Sequence, residues 1–436
     1  MEQIKEQAKV FSAALLDFIH DSPSEFHVVS NAEQRFIAAG FKKLDSGAPW
    51  NIKKGGKYFT TTNDSAFTAF IVGTGDLWTD GFRILEAHTD SPSIKIKPFP
   101  EMVVDEHYLK LNAEVYGSPI FNTWLDRPLT LAGRMSLRGD DPFHPRDVLV
   151  RFDRPLLYIP NLSIHHNKKV NEGIALNQQK DLIPLLATVD KTFTKEGYLL
   201  KLLAEQAGVA VEDILDVELS MSEYEKGCLL GANEEFISST KLDNLSLVHA
   251  GLHALIDSPG GSVTKVFCCF DNEEVGNRTR QGGDSPMLSA VLERISAALG
   301  GDREAFLRAV HNSFMVSSDV SHALHPNVPD RTDPVVKAKI NGGPLVKFSG
   351  MQKFTSDSNS SAVFRALCED AGIPCQYYVN RSDSPGGSTA GPASITHLAM
   401  RSVDVGIPIF AMHSIRELAG VMDNYYVWKA FQRFFA

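Results

Sequence analysis

Histidines and carboxylates in this chain collect at the ends of apolar runs. His88 closes "FRILEAH", and Asp90 follows two residues on. In extended backbone, residues i and i+2 point the same way. Asp90 is therefore placed to accept the second ring N–H of a metal-ligating His88, a contact that fixes the tautomer. Glu273 and Glu274 stand side by side just after the apolar run "KVFCCF". Charges at the mouth of a buried strand are costly unless paired or metal-bound. Adjacent extended residues point apart, so one carboxylate can ligate while the other stays free as a base. Asp243 starts the tract "DNLSLVHAG", Asp319 ends "FMVSSD" with His322 and His325 close behind, and His413 ends "IPIFAMH". Each has a plainer reading: a surface histidine beside a capping carboxylate, a solvated acidic turn, a helix N-cap. Together, two His, two Asp and a Glu–Glu pair without cysteine suit Zn²⁺, Mn²⁺ or Co²⁺ in a catalytic rather than a structural site.

The elements that must position these residues follow from the hydrophobic pattern. Ile4, Ala8, Phe11, Leu15 and Phe18 recur at helical spacing, and "DSPSEF" stops that helix. Short strand-like runs follow, "AFTAFIVG" and "FRILEAHTD". From residue 93 the runs alternate or are β-branched, with turn signals between them, and predict a mostly β region. A polar stretch around 190–227 shows no strong periodicity. From 233 onward, strand and helix patterns alternate: "KVFCCFD" before "SPMLSAVLERISAAL", then "AFLRAVHNSFMVSSD", "SNSSAVFRALCEDAG", and "IPIFAMHS" leading into "IRELAG". The expected fold is α/β, a catalytic domain in two parts (residues 1–92 and 233–436) around an inserted β-rich domain (93–232). In open α/β sheets ligands bind beyond the carboxyl ends of the strands, where these residues lie.

Composition narrows the field. The 436 residues carry a net charge of −10 without a Lys/Arg block, so nucleic acid is not an expected partner. No apolar stretch reaches 18 residues, and no membrane span is expected. Five cysteines, two of them adjacent (Cys268 and Cys269), form no C-x-x-C pair. They read as buried, reduced thiols and, with no signal-peptide core, point to a cytoplasmic location. There is no P-loop, no G-x-G-x-x-G, no H-E-x-x-H and no nucleophile elbow.

The tracts "HTDSPSIKIKP", "TWLDRPL", "IPNLSIHHNK", "KLDN", "DNEEVG", "SSDVSHALHPN", "RSDSPGGSTAGP" and "DVGIPIFAMHSIRE" occur in that order. They resemble the aspartyl aminopeptidase family of cocatalytic metallo-aminopeptidases over nearly the whole chain. The resemblance implies a mixed-sheet, dizinc exopeptidase-like catalytic domain whose β-rich insertion makes a dimer. It implies two divalent ions, zinc first, held by His88, Glu274, Asp319 and His413 with Asp243 bridging, and Glu273 as general base. His165 matches a histidine that family members send into the neighbouring subunit's active site, sometimes assigned to the metal centre. Substrates would be peptides with a free N-terminus and an acidic first residue, and dimers would assemble into a tetrahedral dodecamer. His322, His325, Lys347 and Lys353 are the substrate-binding candidates.

The chain departs from the family at Lys353 (often Arg) and Gly386 (often Cys). It also has Met351 where eukaryotic relatives carry a lysine that holds the acidic side chain. Lys347 and Lys353 are the remaining nearby cations. Two other readings stay open: the same fold and metals acting as a neutral exopeptidase or deacylase, and a self-assembling binding shell without catalysis.

Overall fold

The strand Thr264–Phe270 is buried at every residue because both of its faces are covered. Phe267 and Cys269 enter one core, while Val266, Cys268 and Phe270 enter another. This alternation is the period-2 pleat of a strand sandwiched between helices. The computed structural model describes residues 2–384 and 386–436; Pro385, in the "RSDSPGG" tract, lies outside them.

The strand belongs to a nine-stranded sheet. Its order is Lys42–Lys43, Lys57–Thr62, Ala66–Ile71, Thr264–Phe270, Phe82–His88, Phe314–Ser318, Arg401–Gly406, Leu345–Phe348 and Gln376–Val379. The four central strands, Thr264–Phe270 through Arg401–Gly406, run parallel, so their carboxyl ends share one edge. One face is covered by Glu2–His20, Leu242–Ile256, Ser358–Asp370 and Val421–Phe435. The other is covered by Met287–Ala298 and Arg303–His311.

Two glycines set close approaches near that edge. A Cβ on Gly251 would sit 2.4 Å from the Phe267 ring, so glycine lets the helix Leu242–Ile256 lie flat on the sheet. A Cβ on Gly406 would fall 1.9 Å from the Asp319 carbonyl, so only glycine lets strand and ligand turn pass.

A separate six-stranded antiparallel sheet is built from Arg146–Arg151, Leu129–Leu137, Ile214–Glu223, Ser93–Val104, Tyr108–Tyr116 and Leu185–Thr188, with its own apolar core. A third sheet of five short strands carries Glu417–Gly420, Pro408–Phe410 and Ser321–His322.

Several expectations need correction. The polar stretch at 190–227 holds the helix Tyr198–Ala207 and the strand Ile214–Glu223, whose burial comes from the neighbouring strands rather than from local periodicity. Cys228–Leu230, counted with the insertion, pairs with Phe236–Ser239 in the five-stranded sheet. "RELAG" is a strand, Glu417–Gly420, and the helix that follows is Val421–Phe435. Ile4, on the helical stripe, is exposed while Ala8, Phe11, Leu15 and Phe18 are buried. Among the described residues, no helix is long and apolar enough to cross a membrane.

Candidate metal centre

The shared carboxyl edge delivers the site. His88 is the last residue of its strand, Glu273 and Glu274 follow Thr264–Phe270, and Asp319 follows Phe314–Ser318. Asp243 arrives from the buried start of Leu242–Ile256, but not as an N-cap. Lys241 is the capping residue, and Asp243 has non-helical backbone (φ −78°, ψ 106°). His413 sits in the turn between Pro408–Phe410 and Glu417–Gly420 at φ 68°. A left-handed non-glycine residue costs on the order of 1–3 kcal/mol and persists only where its surroundings hold it. Glu417 does so, accepting the His413 N–H at 2.8 Å.

The five expected ligands come together. His88, Asp243 and Glu274 offer donor atoms all within 4.8 Å of one another. His88 Nε2 lies 3.3 Å from Asp243 Oδ1 and 3.6 Å from Asp319 Oδ1. His413 Nε2 lies 3.5 Å from Asp243 Oδ2 and 3.3 Å from Glu274 Oε2. Asp243 thus reaches one imidazole with each oxygen.

Asp90 lies behind them. His88 Nδ1 is 3.0 Å from the Asp90 carbonyl and 3.3 Å from its carboxylate, so both face the second ring nitrogen. The same carboxylate accepts the backbone N–H groups of Glu273 and Glu274, each at 3.1 Å, and the Tyr116 hydroxyl at 2.6 Å. One buried aspartate therefore orients a histidine and both glutamates.

The electrostatics fit a divalent cation. Asp243 Oδ1 and Glu274 Oε1 are buried with no hydrogen-bond partner among the described residues. Burial, then Asp243 and Glu273, push the Glu274 carboxyl well above its usual range. Burial with the nearby Asp319, Asp90 and Asp243 pushes Glu273 up to about 8 against the pull of His88. Burial disfavours the His88 cation, but its bonds to Asp243, Asp319 and Asp90 outweigh that and hold it well above normal. His413 rises to about 9: burial opposes the cation, and the Asp243 contact overrides it. A cluster this rich in carboxylates holds protons, and a bound metal ion would replace them. The oxygen and imidazole donors are those of a catalytic zinc site.

The remaining candidates separate. Lys347 is buried in the wall of the same 430 Å³ cavity, donating to the Val320 carbonyl at 2.7 Å and lying 3.5 Å from Asp319 Oδ2. His322 is also in that wall. Lys353 is not; its ammonium donates to the Gly386 carbonyl at 2.8 Å. Met351 is 81% exposed and outside the wall, so its lack of charge does not bear on this cavity. His325 lines a neighbouring cavity. His165 lies on an exposed loop, in neither wall of its own chain.

Sequence reasoning missed Glu417, which also accepts the Asp243 N–H at 3.0 Å and so ties the backbones of Asp243 and His413 together. Its only signal was an acid four residues beyond His413, beside Arg416 and before "LAG". Tyr116 was missed as well. The insertion also supports His413: the Ser118 carbonyl lies 3.0 Å from Nδ1, and the Ile120 N–H donates to the His413 carbonyl at 2.9 Å.

A parallel-centred α/β sheet with imidazoles and carboxylates converging at its carboxyl edge defines a metal-dependent hydrolase. A family model described as aminopeptidase I zinc metalloprotease (M18) matches residues 18–435. The chain belongs to this family, and is a zinc metallo-aminopeptidase. It is 51% identical over 425 residues to a probable M18 family aminopeptidase 2 of Clostridium acetobutylicum, covering 98% of each chain. A Pseudomonas aeruginosa protein described in the same words is 39% identical, with 97% of each chain covered. Among solved structures, the cryo-EM complex of Ape4 and Nbr1 superposes with a TM-score of 0.95 at 34% identity, covering 99% of this chain and 86% of that one. The mApe1 dodecamer of S. cerevisiae gives 0.84 at 26% identity, covering 97% and 96%.

Proposed function

We propose that this aminopeptidase uses Glu273 as its general base and prefers peptides whose first residue is acidic. The observation that carries the first half is the split of the glutamate pair. Both are anchored through their N–H groups by Asp90. Glu274 reaches His413, whereas the Glu273 carboxylate lines the cavity with no hydrogen bond or ion pair among the described residues. His88, Glu274, Asp319 and His413 would hold two zinc ions, with Asp243 between them. When bound, these ions polarise the scissile carbonyl and acidify the attacking water. Glu273 takes the proton from that water and returns it to the departing amine. Asp90 keeps the glutamate backbone and the His88 ring fixed through this transfer.

Lys347 supports the acidic preference. It is the lysine in the cavity wall, and a carboxylate moved out of water into a closed site needs such a partner. His165 is assigned to the active site of a neighbouring subunit, consistent with its exposed loop, where it would donate to the developing oxyanion. Residues 93–232 would form the dimer contact, and dimers a tetrahedral dodecamer. Exposed apolar residues in that region, Phe99 (95%), Met102 and Val103 among them, support an interface.

The test compares kcat/KM for Asp-, Glu-, Leu- and Ala-initiated peptides with free and acetylated N-termini. Only free amines are expected to react, with the acidic residues at least tenfold ahead, which is about 1.4 kcal/mol. If the Leu or Ala peptides match them, the specificity assignment is wrong.

A further inference from the structure

Beside the metal-lined cavity lies a second cavity of about 290 Å³, sharing His322, Tyr378 and Asn380 with it. The chemistry of the two is opposite. The first is walled by Asp243, Glu273, Glu274 and Asp319. Among its described lining residues the second has no carboxylate, and carries Arg331, Arg381 and His325 instead. In a chain of net charge −10, this wall bears two arginines and no carboxylate; Asp383, outside it, pairs with Arg381 and lies near Arg331.

The donors there are not used up. The Arg331 guanidinium makes no hydrogen bond or ion pair among the described residues. Arg381 uses Nε on Asp383 at 2.7 Å and Nη1 on the Asp330 carbonyl, which leaves Nη2. Neither Asp383 nor Asp330 enters the cavity wall. His325 Nδ1 accepts the Asn327 N–H at 3.2 Å, so the proton of the neutral ring sits on Nε2, a further donor. Its ring stands edge-on to Phe410 at 5.9 Å, which holds it in place.

We propose that this second cavity is a subsite for a carboxylate in the part of the peptide beyond the scissile bond. That carboxylate is either the side chain of an acidic second residue or the α-carboxylate of a dipeptide. The N-terminal residue is fixed at the metal cluster by its amine and carbonyl, with Lys347 as the cation beside it. The chain continuing past the scissile bond passes His322 into the neighbouring cavity. Planar guanidinium donors bind a carboxylate through charge-assisted hydrogen bonds that an amide of the same shape cannot match. The inference rests on the free N-terminus lying at the metal cluster, and not on which first residue is preferred.

The experiment uses the zinc-loaded enzyme and holds the first residue as Leu. One arm compares Leu-Asp-Ala amide with Leu-Asn-Ala amide; the other compares Leu-Ala with Leu-Ala amide. At least one arm is expected to favour the carboxylate fivefold or more in kcat/KM, and the arm that does so identifies its source. Arg331→Gln is expected to bring that ratio close to one and Arg331→Lys to restore part of it, in proteins whose melting temperature and assembly size match the parent. Arg381→Gln gives an independent reading if Arg331→Gln does not fold. Ratios near one in both arms overturn the proposal, as does a ratio that survives both arginine substitutions. A parallel series with Asp as first residue reports the first-residue preference separately, so the two assignments fail independently.

Discussion

Glu273 and Glu274 hang from the same aspartate and face different partners, so one substitution made at each position separates their roles. Glu273→Gln is expected to keep its zinc and lose at least ~100-fold in kcat, the usual weight of a general base. Glu274→Gln is expected to lose metal. Metal analysis alongside kcat checks both, and loss of an ion from Glu273→Gln alone would reverse the assignment. Tyr116→Phe removes the hydroxyl that Asp90 accepts at 2.6 Å. It is expected to weaken zinc binding about 10-fold, read by competition with a chelating dye, because partners behind the ligands commonly carry that much affinity. His88, Asp319 and His413 were legible as a converging set because they end apolar runs, where a polar side chain has no cheap explanation. Tyr116 and Glu417 were not, since their roles depend on which distant backbone they meet. Lys347 and Lys353 look alike as letters; only packing places one in the cavity wall and ties the other to Gly386.

The helix Leu242–Ile256 looks amphipathic because Asn244, Ser246 and His249 interrupt its apolar residues, yet all three are buried. Asn244 donates to the Ser318 carbonyl and Ser246 to the Leu242 carbonyl, so polar letters here mark internal hydrogen bonds rather than a wet face. His249 differs, with both ring nitrogens lacking a partner. It packs 4.7 Å from the Phe11 ring, 5.8 Å from Phe18 and 4.6 Å from His253. Burial first, then the charges of His253 and Arg35, hold its pKa well below 6.5. The unfolded chain therefore takes up a proton that the folded one refuses, and stability is lost as pH falls through 6.5. One such proton is worth up to about 1.4 kcal/mol per pH unit. His249→Phe is expected to stabilise the protein by about 1–2 kcal/mol at neutral pH, by removing unpaired buried polar atoms. It should also flatten the loss between pH 6.5 and 5; His253, also lowered by burial, keeps some of that slope. Melting temperatures at pH 7.5 and 5.5 decide it. The strand Ile214–Glu223 was unreadable for a related reason, since it pairs along nearly its whole length with the distant Leu129–Leu137 and its burial pattern is set there.

At the scale of the molecule, the insertion and the catalytic sheet are mechanically joined. Ile415, two residues past His413, is buried in the apolar core of the six-stranded sheet, and Arg416 and Arg127 close on the buried Glu223 at 2.9 and 2.5 Å. If His165 serves the neighbouring site, mixing inactive His165→Ala subunits with inactive Glu273→Gln subunits is expected to restore part of the activity. No recovery in verified mixed dimers would place its action in its own subunit or nowhere. The β character of the six-stranded sheet was legible from the change of period near residue 93, but the brace between it and the nine-stranded sheet was not, because its members are far apart in sequence and meet only after folding. That spacing also governs when the cluster can assemble. His88, Asp243, Glu274, Asp319 and His413 leave the ribosome in that order. Four of the five are present only once residue 319 has been made, and the fifth only at residue 413 of 436. A chain that ends anywhere before His413 lacks one of the five converging side chains.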